Sequence, residues 1–231
     1  MRTCDEWSVE FDQLYQNITS NQAPGLTEYE KSVFLTREQE ADVVMLYNGT
    51  LSKSFEETEE LTHYLSVLVS QEDCQEVSCS ANHIVQGSQI FELPDNLLFR
   101  TLEICRIDTG DCGVKDAIVT PVTQDEYWRT SRNPFKQPNI NRVVRLSFGE
   151  AGAYGSTAYS SQYSELISKY PIVSYTVRYL RKPSPIILTD LSSEGLSING
   201  ETAARTCELP EFLHQTILTG AVKAARAAWV Q

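Results

Sequence analysis

The sequence has no apolar segment long enough to cross a membrane. Its longest uninterrupted apolar stretches, such as Val43 to Tyr47, fall far short of the roughly 20 residues that a bilayer-spanning helix needs. The first residues, Met1 to Glu6, include acids and no apolar core, so we expect no secretion signal. These absences exclude a membrane channel and favour a soluble globular protein.

Motifs that carry chemistry are also missing from the sequence. It contains no phosphate-binding loop, no dinucleotide-binding fingerprint and no His-Glu-x-x-His metalloprotease motif. The histidines His63, His83 and His214 are scattered, and none has a neighbouring nucleophile arranged as a relay. We therefore predict that the protein is not an enzyme and that it uses no cofactor.

The cysteines give only a weak indication of a metal site. Without a secretion signal we expect them to be reduced, and we predict buried or incidental thiols and no metal. The spacing of two cysteine pairs is wider than in most structural zinc sites. A metal site built from these four residues nevertheless stays open as an alternative: Cys74, Cys79, Cys105 and Cys112.

Charge is distributed unevenly along the chain. Residues 1–100 hold 18 acids and 5 bases, whereas residues 101–231 hold 13 acids and 14 bases, which together give the net charge of −12. The acidic half argues against conventional DNA binding, because it repels phosphate. Bases concentrate in 129–145, which has no acid, and again near 180, and such small patches suit an acidic surface on a neighbouring subunit. The candidate subunit-interface residues are Arg129, Arg132, Lys136, Arg142, Arg145, Arg178, Arg181 and Lys182.

Residues 1–73 show the pattern of a helical segment. Apolar residues recur at helical spacing in the first helix: Trp7, Phe11, Leu14, Tyr15 and Ile18. Three pairs have the spacing of an N-terminal capping box and predict helix starts: Thr27 with Glu30, Thr36 with Gln39, and Ser54 with Glu57. We predict three amphipathic helices that form a small bundle.

Residues 74–208 show the pattern of a β-rich body with a flexible arm near 149–161. Four runs alternate or are rich in β-branched and aromatic residues: 88–93, 98–107, 142–148 and 172–180. In the last run, Val173, Tyr175, Val177 and Tyr179 are predicted to share one face. The segment from Arg181 to Pro185 is predicted to be an exposed stiff connector, either a solvated turn or a subunit contact.

Residues 209–231 are predicted to form a C-terminal helix that packs back on the N-terminal helices. Pro210 lies at a first-turn position, and small and apolar residues follow at helical spacing, although Gly220 weakens the stripe. The fold class is therefore α+β, with an N-terminal helical bundle, a central antiparallel β-sandwich or open barrel, and this C-terminal helix.

Several motifs resemble a known family when they are taken together. They are Pro121 to Tyr127 running into Asn133 to Lys136, then Tyr175 to Leu188, and then Cys207 to His214; Leu26 to Ser32 with Leu35 and Thr36 fits the same pattern. In this order they resemble a virion structural protein of crAss-like tailed phages that infect gut Bacteroides-type bacteria, of the ring or adaptor kind. The resemblance covers residues 26 to 220 in patches but not 75 to 120.

The resemblance implies a structural role at the head-to-tail connector or tail ring. It implies a homo-oligomeric ring of twelvefold symmetry that sits on the portal protein, contacts neighbouring ring proteins and lets genomic DNA pass without sequence-specific binding. It implies neither catalysis, nor a cofactor, nor a membrane, and it places the protein in the virion after synthesis in the host cytoplasm. The alternative is a metal-stabilised binding or regulatory module of a phage.

Overall fold

A computed structural model of the chain describes residues 2–18, 25–48, 59–77, 85–110, 113–147 and 162–229. Within these ranges the α-helices are α1 Cys4–Ile18, α2 Glu28–Asn48, α3 Glu59–Leu65, α4 Gln124–Thr130 and α5 Glu211–Trp229. The strands are β1 Val69–Glu76, β2 Gln89–Leu93, β3 Leu97–Asp108, β4 Val114–Val122, β5 Arg142–Ser147, β6 Gln162–Ile167 and β7 Ile172–Arg181. The α+β class is therefore confirmed.

The chain divides into two compact units. Met1–Leu68 and Lys182–Gln231 form the first, which we call the helical unit, and Val69–Arg181 form the second, the barrel unit. These limits differ from the boundaries expected at 73 and 208. Strand β1 begins at Val69, inside the segment that was expected to be helical. Its polar sequence has no alternation that would predict a strand, because Cys74 is its single buried residue. Residues 182–208 belong with the helices, to which they are hydrogen-bonded.

The barrel unit is a closed seven-stranded barrel. Its strand order is β1-β2-β6-β5-β4-β3-β7, and β7 pairs with β1 to close it. All neighbouring pairs are antiparallel except β4 and β5, which run parallel. The expected antiparallel sandwich or open barrel is thus corrected in two respects. Because the sheet closes on itself, the described strands form no open lateral edge onto which another strand could add.

The barrel core follows the alternation of the strands. Tyr175, Val177 and Tyr179 on β7 are completely buried inside the barrel, as predicted. Val173 is 58% exposed, so its predicted place on the same face is wrong. The cause is a β-bulge: Arg106 pairs with Ser174 and the next residue pairs with Ile172, so that Val173 is left out of the register.

Two of the predicted helix signals are confirmed by the structure. On α1, the side chains of Trp7, Phe11 and Tyr15 are buried, as the apolar stripe predicts. Helix α2 begins with the predicted capping box: Glu30 N donates to Thr27 Oγ1 at 3.2 Å, and Thr27 N donates to Glu30 Oε2 at 2.8 Å. Ser54 and Glu57 lie outside the described residues.

The predicted helix start at Thr36 is wrong, because α2 runs through it without a break. Thr36 and Gln39 are buried and hydrogen-bond to another segment. Thr36 Oγ1 accepts from Ile186 N at 3.1 Å and donates to Ile186 O at 3.2 Å. Gln39 Nε2 donates to Ser184 O at 3.2 Å. One turn before Thr36, Ser32 Oγ accepts from Leu188 N at 3.0 Å.

The exposed connector expected from Arg181 to Pro185 is therefore not found, because Pro183 to Pro185 belong to a longer segment, Lys182 to Leu188, that is hydrogen-bonded to α2. Pro183 and Pro185 are buried, and the segment lies along the polar stripe of α2. The N–H groups of residues 184, 186, 187 and 188 donate hydrogen bonds, so the prolines occupy positions from which no donor is required.

Helix α5 packs against α1 and α2, as predicted. Arg2 Nη2 donates to Gln215 Oε1 at 3.1 Å, and the rings of Trp7 and His214 lie 5.1 Å apart. Gly220 lies so close to α2 that an added Cβ would come within 1.9 Å of Glu38 Oε1. The glycine that weakens the helical stripe thus leaves room for this side chain.

Candidate subunit interface

The connection between β4 and β5 is the most distinctive surface of the barrel unit. Parallel neighbours cannot be joined by a tight turn, so the chain crosses outside the barrel through residues 123–141, which we call the excursion. It begins with α4, whose first turn is capped when Glu126 N donates to Thr123 Oγ1 at 3.2 Å. It ends at an isolated bridge between Asn139 and Arg142.

Two aromatic side chains on the excursion project into solvent. Trp128 is 60% exposed and Phe135 is 90% exposed. The backbone that carries Phe135 is held in place, since Phe135 N donates to Asn133 Oδ1 at 3.0 Å and Gln137 Nε2 donates to Ser131 O at 2.8 Å. Large exposed rings on an ordered loop are typical of protein–protein contact sites.

The bases of the excursion are exposed beside these rings. Arg129 Nη2 lies 2.7 Å from Asp125 Oδ2, and Lys136 Nζ lies 3.8 Å from Glu126 Oε1. All four side chains are at least half exposed, so these ion pairs contribute little to stability. Arg132 is exposed as well. The predicted bases therefore remain accessible to a partner.

A cleft of about 430 Å³ lies between the excursion and the outer face of β5 and β6. Its floor is apolar and includes Val122, Val144 and Ile167, and its rim carries Lys136, Arg142 and Lys169. Arg142, another predicted interface residue, is partly buried here.

Arg145 does not belong to the surface, which corrects one of the predicted interface residues. It is 7% exposed, and its Nε lies 3.1 Å from Glu103 Oε2 inside the barrel. Tyr175 OH donates to the same carboxyl, and Arg100 Nε lies 3.9 Å from it. Burial raises the pKa of Glu103, although the Tyr175 hydrogen bond and the Arg100 charge oppose this. Arg145 therefore compensates a buried acid.

The last three predicted bases lie away from the excursion. Arg178 and Arg181 are partly exposed on β7, and Lys182 is exposed at the start of the final segment of the helical unit. The predicted set thus separates into Arg129, Arg132, Lys136 and Arg142 around the excursion, Arg145 inside the barrel, and these three.

Comparison with known proteins identifies the family. The family model described as "Phage tail ring protein 3/4" matches residues 1–231. The chain belongs to this family. It is 37% identical over 229 residues to "Ring protein 3" of Bacteroides phage crAss001, which covers 96% of this chain and 94% of the relative. It is 35% identical over 234 residues to "Ring protein 4/5" of the same phage, with 97% and 92% covered.

The family resemblance expected from the sequence is therefore confirmed, and its motifs can be placed in the structure. Pro121 to Tyr127 and Asn133 to Lys136 form the end of β4 and about half of the excursion. The later motifs meet in the helical unit, where Ser184 N donates to Glu208 Oε1 at 2.7 Å. His214 of the last motif is buried and its Nε2 lies 2.9 Å from Leu209 O, which it can contact as a donor in one tautomer. The motifs of this tail ring family thus describe the excursion and the packing of the helical unit.

The cysteines of this ring protein do not assemble into a site in the part that the structure describes. Cys74 and Cys105 are buried in the barrel, where both are register partners of Tyr175 on the strand between them. Two strand spacings, roughly 10 Å, are too far for a disulfide. Burial, helped by the Glu103 charge, raises the pKa of Cys74 to about 12 and also raises that of Cys105.

The alternative metal site has no support among the described residues. Cys79 and Cys112 lie outside them, and within them no group of three or more His, Cys, Asp or Glu side chains is arranged to hold a metal ion. Among the helices that the structure describes, none is both long and apolar enough to cross a bilayer.

Proposed function

We propose that the protein is a structural subunit of a phage head-to-tail connector or tail ring, and that it assembles as a homo-oligomeric ring on the portal. The observation that carries the proposal is the family match over the whole chain, together with two relatives named as ring proteins. The rings form part of the passage through which the genome moves.

The closed barrel supports assembly through side chains. A ring of identical copies needs head-to-tail contacts, in which two different surfaces of each copy meet. Strand addition is a common way to join copies, but the described strands of the barrel present no open edge for it. The contacts then come from surface residues, of which the excursion offers exposed rings and bases.

The charge of the chain supports a passage for DNA. A lumen that conducts DNA has to avoid holding the phosphates, and a net charge of −12 gives a repulsive field. We infer twelvefold symmetry, attachment to the portal protein, contacts with neighbouring ring proteins and a place in the virion after synthesis in the host cytoplasm.

Assembly of the purified chain tests the proposal directly. Mass photometry over a range of concentrations, with and without purified portal protein, is expected to show one closed oligomer. Class averages from negative-stain images are expected to show a ring with a central opening. The proposal fails if the chain remains monomeric at every concentration and with portal, and if it is absent from purified virions by mass spectrometry.

A further inference from the structure

The exposed apolar residues of the barrel unit occur in two places. Among its described residues, the large apolar side chains that are exposed are Trp128 and Phe135 on the excursion, and Leu102, Val114, Ile118 and Val173 on strands β3, β4 and β7. The second group shows that one side of the barrel presents apolar side chains to solvent. Such patches on an ordered surface favour contact with another protein.

The strands that carry the second group begin beside the excursion at β4 and continue round the barrel to β7, which lies opposite the excursion. The excursion covers a cleft whose floor is formed by β5 and β6. In the circular strand order, β7 is the third strand from β5 in one direction and the third from β6 in the other. The outward face of β7 therefore points away from the excursion, whereas Ile118 on β4 pairs with Arg142, next to the end of the excursion.

The outward side chains of β4, β3, β7 and β1 form a continuous surface, which we call the outer wall. Strand register aligns one row across it, consisting of Ile118, Ile104, Thr176 and Asp73. A second row contains Leu102, Arg178 and Gln71. Ile118 is 68% exposed and Leu102 is 39% exposed, so the β4 and β3 side of the wall is apolar.

The acids at the β1 and β2 edge of the outer wall are opposite in charge to the bases of the excursion. No Lys or Arg occurs between Lys53 and Arg100, so strands β1 and β2 carry acids without bases. Asp73 ends the first row of the wall, and Glu92 on β2 pairs with Gln75 beside it. Arg178 lies within the wall, and Arg106 is 3.4 Å from Asp116 there. The acidic edge at β1 and β2 thus matches the bases of the excursion.

We propose that Trp128 and Phe135 of one copy dock on the outer wall of the next copy, with the excursion's bases facing the acids of β1 and β2. The inference rests on the proposed ring function, because two unlike surfaces on one barrel give the head-to-tail contact that closes by rotation. The aromatic side chains of Trp128 and Phe135 would bury about 150–250 Å² each, and their sum is less than the roughly 800 Å² that each partner buries in a stable interface. They are therefore the central anchors of a larger contact.

Two sets of variants test the two halves of this contact. W128S combined with F135S removes the anchors, and I118S combined with L102S removes the exposed apolar side chains of β4 and β3 from the wall. Each pair is expected to raise the concentration needed for assembly at least about tenfold, as the loss of central interface anchors does. The matched control is M45S, which removes a side chain of similar exposure, 62%, from the helical unit. A loss as large in M45S overturns the inference.

A photocrosslinker at position 128 identifies what the excursion contacts without relying on a loss of assembly. In assemblies of the chain that is otherwise unchanged, crosslinks to strands β1, β3, β4 or β7 of a second copy support the proposal. Crosslinks to the excursion of a second copy, to the helical unit, to portal or to another ring protein overturn it. If wild type forms rings and both variant pairs assemble equally well, this inference fails while the ring function stands. If wild type never assembles, both fail.

Discussion

The helical unit and the barrel unit satisfy their buried backbone in different ways. In the barrel unit, strand pairs supply the hydrogen bonds, and closure leaves the described strands without an open edge. In the helical unit, the segment from Lys182 to Leu188 pairs with other backbone at an isolated bridge between Ile187 and Arg205, and side chains of α2 supply four further hydrogen bonds to its backbone. Backbone pairing tolerates many side chains, whereas a side-chain stripe does not. The helical unit should therefore be more sensitive to single polar substitutions on its surface of contact.

The barrel unit contains one site where a single substitution should also be costly, the ion pair between Arg145 and Glu103 in its interior. Loss of this pair has the largest effect that we expect on stability. R145M leaves Glu103 buried without its partner at 3.1 Å. We expect the free energy of unfolding to fall by about 3–5 kcal/mol, because one member of a buried ion pair is lost. Urea denaturation measures the loss, and hydrogen exchange should show it in peptides of the barrel unit.

The matched control for R145M is K136M, which removes an exposed base that also lies near a carboxylate, at 3.8 Å. Its cost should stay below about 0.5 kcal/mol because water screens the pair. Equal losses in the two variants would contradict the assignment of Arg145 to the interior.

The polar stripe of α2 gives the next largest effect. T36V keeps the shape of the side chain and removes its two hydrogen bonds with Ile186. We expect a loss of about 2 kcal/mol, because a buried N–H and a buried carbonyl lose their partner. Hydrogen exchange should accelerate in peptides from 182–190 and stay unchanged in the barrel.

The control is T219V on α5, where Thr219 Oγ1 donates to the carbonyl of Gln215 within the same helix at 2.7 Å. This variant should change stability by less than about 0.5 kcal/mol. The comparison of the two units is wrong if T36V behaves like T219V.

The smallest effect concerns a buried acid in the helical unit. Burial, with a contribution from the Glu38 charge, raises the pKa of Asp42 to about 6. An unfolded carboxyl ionises at lower pH, so the free energy of unfolding falls as pH rises between about 4 and 6 and is constant above that. D42N removes the cost of the buried charge. It should gain about 1 kcal/mol at pH 7.5 and nothing near pH 4.

Thermal unfolding at a series of pH values checks this prediction. E38Q provides a second variant, because removal of the neighbouring charge should move the pH window of Asp42 downwards without abolishing it. A gain in D42N that is the same at every pH would rule out ionisation of Asp42 as its cause.

The sequence predicts those elements whose periodicity reflects burial on one side. The stripe of α1, the capping box at Thr27 and most of β7 follow from this pattern. Strand β1 was assigned to the helical segment, since a strand with one buried residue, Cys74, has no alternation to detect. Strand β6 was not among the predicted strands, because it buries the polar residues Ser164 and Glu165. Glu165 accepts hydrogen bonds from Val85 N and Ser88 Oγ, and these partners lie far away in sequence.

The candidate interface was predicted in part. The bases of the excursion are exposed, but the sequence does not reveal which bases point outwards: Val143 and Val144 precede Arg145, so the phase of β5 is ambiguous and its inward position could not be inferred. The outer wall was missed, because β7, which joins β3 to β1 in it, is distant in sequence from both. Phe135 lies within a family motif and Trp128 directly follows another, and their exposure is known only from the structure.

The place where the barrel joins the rest of the chain has a consequence for how such proteins can diversify. The first residue of β1, Val69, is the register partner of Leu180, close to the end of β7. The chain therefore enters and leaves the barrel at neighbouring points, as in a cassette inserted into a loop. During evolution the whole barrel unit could be exchanged, or its surface changed, while the helical unit keeps its own hydrogen bonds. Stacked rings with different neighbours could then arise from one scaffold by altering the insert alone.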